Sequence, residues 1–119
     1  MPMNQTDAAR QKLLSGLGLC AKAGALIYGT PMVCEALRDK RKPCLVLEAS
    51  DTSDSTHKKI SDKCNFYQVQ HVRLPVTGED LAAALGKRST LAAVAVRDEN
   101  LCRVVTAAFI ALGEQTEQS

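Results

Sequence analysis

From Leu13 the apolar residues recur at helical spacing, with Leu13, Leu14, Leu17, Cys20 and Ala21 on one side of a predicted first helix. Asp7 is expected to cap its start. Gly24 is expected to end it, because glycine tolerates the left-handed conformation that closes a helix. Gly16 and Gly18 lie within the stretch and are read as points of close packing rather than breaks. A short apolar segment, Leu26-Ile27-Tyr28, leads to Gly29-Thr30-Pro31. Thr30 as cap and Pro31 at the first helical position predict a second helix there. It turns Val33, Ala36 and Leu37 inward, and its final residues Arg38 to Lys42 carry cations that suit the helix dipole before Pro43 stops it.

Leu45-Val46-Leu47 is too short and too apolar for anything but a buried strand. Ser53 or Asp54 is expected to cap a third helix with Ile60 and Cys64 inward and Lys58, Lys59 and Lys63 outward. Val69 to Leu74 reads as a strand closed by Pro75. Thr77-Gly78-Glu79-Asp80 opens a short helix over Leu81 to Leu85, which Gly86 terminates. Lys87 to Thr90 is a polar loop before the clearest central strand, Leu91 to Val96. Asp98 caps a last helix with Leu101, Val104, Val105, Ala108 and Leu112 on one face. Helices alternating with strands over short connections predict an α/β fold, one three-layer αβα sandwich spanning 7–113. A loose arm is expected at 1–6 and a frayed tail at 114–119.

A chain of 119 residues has room for one core without staples, and its 45% apolar and 24% charged content is that of a globular domain. With two Tyr, two Phe and no Trp, the core must be aliphatic, and a platform of aromatics for stacking bases is disfavoured. The formal charge of +2 permits a local basic patch without requiring one.

The five cysteines, at 20, 34, 44, 64 and 102, contain no Cys-x-x-Cys pair. They are read as reduced, mostly buried thiols, and His57 and His71 offer them no zinc-site spacing. No metal and no cofactor are expected. Without a leader-like segment or an apolar run near ~18 residues, the expected compartment is the cytoplasm, with no membrane partner.

Catalytic patterns fail in turn. No Gly-x-Gly-x-x-Gly follows a strand, and Gly86-Lys87-Arg88-Ser89 follows a helix without the upstream glycine of a phosphate loop. Cys34 and Cys64 face inward, and His57 stands about two helical turns from Cys64, beyond direct activation. His57 is read as a surface helical residue and His71 as a polar strand position. Cap and turn roles account for Asp98 and Asp51, so no enzyme is expected.

Gly29-Thr30 at a helix start, Leu45-Val46-Leu47-Glu48-Ala49-Ser50-Asp51, Asp62-Lys63-Cys64, and Leu85-Gly86-Lys87 ahead of Ala92-Ala93-Val94-Ala95-Val96 occur in an order and spacing that resemble one family. It is the L-seven-Ae/L-thirty-e ribosomal-protein family, and most of all its small bacterial stand-alone branch. The resemblance implies a mixed, roughly four-stranded central sheet and non-catalytic binding of structured RNA, either kink-turn or ribosomal. It implies an RNA face made of Gly29, Thr30, Pro31, Met32, Glu35 and Ser50 with the loop residues Gly86, Lys87, Arg88 and Ser89. Many members read Gly-Thr-Asn-Glu-x-x-Lys at the helix start. This chain has Pro31, Met32 and Glu35 at the Asn, Glu and Lys places, which removes most of the base-reading side chains. The alternative is a protein-interaction module on the same fold, with Tyr28, Met32 and Val33 as an apolar contact patch. The expected partners are structured RNA and ribosomal proteins, and the expected state is a monomer.

Overall fold

Strand β2 (Leu45–Glu48) is buried at all four positions, as a strand with a helical layer on each side must be. The computed structural model describes the backbone of residues 5–118 and the side chains of 7–113. The arm expected at 1–6 and the tail expected at 114–119 lie outside the fully described residues.

Strand β2 sits in a mixed four-stranded sheet with β1 (Leu26–Tyr28), β3 (Gln70–Arg73) and β4 (Ala93–Val96), in the spatial order β1-β4-β2-β3. Strand β4 runs antiparallel to both β1 and β2, and β2 runs parallel to β3. The registers put Tyr28 opposite Val94, Glu48 opposite Ala93, and Arg73 beside Glu48. The C-terminal ends of β1, β2 and β3 and the entry to β4 therefore lie at one end of the sheet. Every loop of interest leaves from that end.

Side-chain alternation along the strands divides the core in two. Leu45, Leu47, Val94 and Val96 pack under helices α1 (Gln5–Lys22), α4 (Gly78–Ala84) and α5 (Glu99–Gln118), meeting Leu13, Leu17, Leu81, Val105 and Leu112. Val46, Ala93 and Ala95 face α2 (Thr30–Leu37) and α3 (Asp54–Tyr67), meeting Val33, Leu37, Ile60 and Cys64. This is the three-layer αβα sandwich that the periodicity predicts.

Several caps fall where expected. Ser53 accepts from the Thr56 N–H, Thr77 from the Asp80 N–H at 3.1 Å, and Asp98 from the Leu101 N–H at 2.9 Å. Two differ. Helix α1 starts at Gln5, so Asp7 stands in its first turn rather than at its cap, paired with Arg10 at 3.5 Å. The cap of α2 is Gly29, not Thr30, and no side chain caps that helix. Pro31 is tolerated in the first turn, where its missing N–H would have had no partner. Helix α2 also ends earlier than expected, at Leu37, leaving Lys40, Arg41 and Lys42 in the following loop. Of the two inner glycines of α1, Gly16 lies against Val105 of α5, whereas Gly18 faces open space.

The expectation of five reduced thiols is corrected. Cys44 and Cys102 form a disulfide, and Cys20, Cys34 and Cys64 are free and buried. The residue before β2 and the first turn of α5 converge beside Val96, a proximity that a sequence separation of 58 conceals. Among the described residues no helix is long and apolar enough to cross a membrane.

Candidate nucleic-acid interface

Gly29 occupies a backbone conformation (φ 84°, ψ 151°) open essentially to glycine alone. The conformation lets its N–H complete the sheet by donating to the Ala93 carbonyl at 2.9 Å, while its own carbonyl accepts from the Val33 N–H to start α2. The helix start is thereby fixed to the end of β1. The backbone N–H groups of Thr30 and Met32 have no acceptor within the helix, as in any first turn, and a first turn is a favourable place for phosphate or other acceptors. Pro31, Met32 and Glu35 are exposed there.

The loop at 86–90 is exposed throughout. Gly86 (φ 70°) turns the chain, and the Lys87 N–H donates to the Ala82 carbonyl at 2.8 Å. The Lys87 ammonium then lies 4.1 Å from the centroid of the Tyr28 ring. This contact joins the loop to the residue just before Gly29. Arg88 and Ser89 extend from the same exposed loop.

The loop is held from behind by a chain of polar contacts. Asp51, expected only to make a turn, accepts from the Gly78 N–H at 2.9 Å, and the Gly78 carbonyl accepts from the Leu91 N–H at 3.1 Å. Gly78 is pressed so close that a Cβ there would stand 2.9 Å from the Leu91 carbonyl oxygen.

The other expected site residues are less concentrated. Ser50 is exposed at the end of β2, bonded through its N–H to the Val76 carbonyl and through its carbonyl to Arg73 at 3.0 Å. It shares the sheet end with Gly29 but lies toward the β3 edge, with β4 between β1 and β2. Met32 and Glu35 line a shallow cleft along α2 with Leu26, Tyr28, Asp39 and Arg97. Two carboxylates against one guanidinium make that cleft a poor seat for phosphate. The basic residues of the expected face are Lys87 and Arg88, both in the exposed loop.

A second constellation escaped the sequence analysis. Glu48 is wholly buried, and its carboxylate meets His57 Nδ1 at 2.8 Å and His71 Nε2 at 2.8 Å. His57 is thus not merely a surface helical residue, nor His71 merely a polar strand position. With Glu48 ionised, each imidazole donates one N–H to it, and Arg73 Nε stands 3.8 Å from its second oxygen. The available signal was Glu48 itself, an acid within the apolar run Leu45 to Ala49, which must find donors if the run is buried. Cys64 lies in the same layer, and burial, with Cys34 and Glu48 nearby, pushes its thiol up to about 11. A thiol so protonated is a poor nucleophile at neutral pH.

Comparison with known proteins agrees with the fold. A family model described as the ribosomal protein L7Ae/L30e/S12e/Gadd45 family matches residues 11–106. The RNA-binding protein YlxQ of Bacillus subtilis (strain 168) is 35% identical over 83 residues, which is 70% of this chain and 80% of that protein. The RNA-binding protein YlxQ of Enterococcus faecium is 38% identical over 63 residues, 53% of this chain and 60% of that one. Among solved structures, a protein of unknown function from Bacillus halodurans C superposes with a TM-score of 0.76 at 32% identity, covering 83% of this chain and 97% of that one. The Giardia lamblia 15.5kD RNA binding protein superposes with a TM-score of 0.70, covering 94% and 95%, and at 19% identity that likeness speaks for the fold alone.

Proposed function

The chain belongs to the ribosomal protein L7Ae/L30e/S12e/Gadd45 family, and on that footing we propose that it is a non-catalytic protein that binds structured RNA. The binding surface is the sheet end formed by Gly29, Thr30 and the loop Gly86 to Ser89. The observation that carries the reading is the Lys87–Tyr28 contact, because it joins the exposed basic loop to the start of α2. A cation and a helix start on one surface suit a bent phosphate backbone.

The class of RNA proposed is a kinked element, a kink-turn or a ribosomal RNA junction, held more by its shape and phosphates than by its base edges. Pro31 and Met32 offer no strong polar group to a base, and Glu35 repels phosphate. Lys87 and Arg88 remain for phosphate contacts and for stacking of a guanidinium on an unstacked base.

Fluorescence anisotropy with a kink-turn duplex and an unkinked control of equal length tests this over a salt series. The expected result is tighter binding of the kinked RNA, weakening steadily with salt as counterions are released. Equal affinities would rule out kink recognition, and no binding of either RNA at low salt would rule out the RNA reading. A second reading, contact with another protein such as a ribosomal protein, draws on Met32, which is 55% exposed above the α2 cleft. A pull-down of a protein partner that is insensitive to ribonuclease treatment would favour it.

A further inference from the structure

We propose that Glu48, His57 and His71 form a binding site for Zn2+ or a closely similar divalent transition-metal ion. The proposal is independent of the RNA reading. The three side chains come from three elements: the last residue of β2, the first turn of α3 and the middle of β3. Their ligand atoms all lie within 4.8 Å of one another, with the carboxylate 2.8 Å from each imidazole nitrogen. Two imidazoles, one carboxylate and a water make a four-coordinate set that suits Zn2+. The same set is too rich in nitrogen for Mg2+ or Ca2+, which take oxygen ligands.

The geometry is close to what a metal needs. Donors bound tetrahedrally to one zinc ion stand about 3.3 Å apart, given Zn–N and Zn–O distances of about 2.0–2.2 Å. The carboxylate–imidazole separations of 2.8 Å therefore need to open by about half an ångström, and the two imidazole nitrogens, within 4.8 Å of one another, need to come to the same spacing. Metal binding moves each ring proton from the nitrogen that faces Glu48 to the other ring nitrogen, a change of tautomer that leaves both imidazoles neutral, so the hydrogen-bonded cluster is the metal-free form of the same site. Burial differs in a useful way: Glu48 is enclosed and His71 is 15% exposed, whereas His57 is 41% exposed and leaves a route for the ion and a position for water. Arg73 is the opposing charge, but its guanidinium is drawn outward by the Ser50 carbonyl at 3.0 Å. A bound ion would clamp the start of α3 to the β2–β3 edge.

The test uses the full chain, freed of metal and with its disulfide intact, titrated with Zn2+. The chain has two histidines, so the imidazole nitrogen resonances report on the site without any substitution. Calorimetry should give one Zn2+ per chain, and both imidazoles should shift together on addition of one equivalent. His57→Ala, in the first turn of α3, should weaken binding at least about 10–100-fold, since the loss even of a ligand's supporting partner does that much. His71→Ala should do the same wherever it folds. Replacing Zn2+ with Co2+ should give a spectrum without thiolate charge-transfer bands, whereas such bands would move the ion to Cys34 or Cys64. That outcome, the absence of stoichiometric binding, or a shift of one imidazole alone would overturn the proposal.

Discussion

Lys87 holds its ammonium 4.1 Å from the centre of the Tyr28 ring, so the loop ahead of β4 rests on the last residue of β1. A cation over an aromatic face at an exposed position contributes about 0.5–1 kcal/mol, enough to bias a loop and too little to lock it. Lys87 can therefore leave the ring for a phosphate at small cost. Lys87→Ala should weaken RNA binding and lower the salt slope by about one. Tyr28→Leu should leave the slope nearly unchanged while lowering affinity modestly. Anisotropy titrations at several salt concentrations separate the two, and an unchanged slope in Lys87→Ala would take the loop out of the interface.

Gly78 is the support behind the same loop. A Cβ at this position would meet the Leu91 carbonyl oxygen at 2.9 Å, closer than real Cβ atoms come to backbone, while its 3.6 Å distance from Asp51 Oδ1 would be ordinary contact. Backbone cannot retreat as a side-chain tip can, so Gly78→Ala should cost about 1–3 kcal/mol, as overpacking does. Urea denaturation measures the loss. RNA affinity should fall in the same variant under conditions where it remains folded, because Leu91 leads the loop into β4.

The Cys44–Cys102 bridge closes a loop across 58 positions, and constraint of the unfolded chain by such a loop contributes roughly 2–4 kcal/mol. Reductant should lower the melting temperature, and Cys102→Ser should reproduce that drop and be insensitive to reductant. Thiol titration of the unfolded chain should count three thiols before reduction and five after it. Five thiols in the unreduced protein would contradict the pairing.

Cys64 sets a limit at alkaline pH. Its thiol is raised by burial from the ordinary 9.0 to about 11, so the folded chain keeps a proton that the unfolded chain releases. The stabilisation is complete below pH 9 and is lost as pH rises through 11. Buried Cys20 is shifted in the same direction, chiefly by burial. Chemical denaturation over a pH series should show stability nearly level from pH 8 to about pH 9 and falling from there to about pH 11. Cys64→Ala should start lower, from the lost packing, but fall less steeply.

Much of the architecture was legible in the chain because its causes are local. A helix declares itself through apolar spacing and a cap within a few residues, and Ser53, Thr77 and Asp98 all cap where local chemistry places them. Thr30 shows where this stops. Local rules favour it as the cap of α2, but the Gly29 N–H is engaged by Ala93, sixty-four positions away, and that sheet bond moves the helix start. The same dependence decides the sites. The sequence by itself determined the alternation of helices and strands, the aliphatic core, and the separate presence of a glycine-led helix start and a basic loop. Only the tertiary structure decided that Lys87 meets Tyr28, that Cys44 meets Cys102, and that Glu48 is buried between His57 and His71. Those meetings follow from the strand order β1-β4-β2-β3 and its registers, which are set by how whole faces pack against one another rather than by any short stretch of residues.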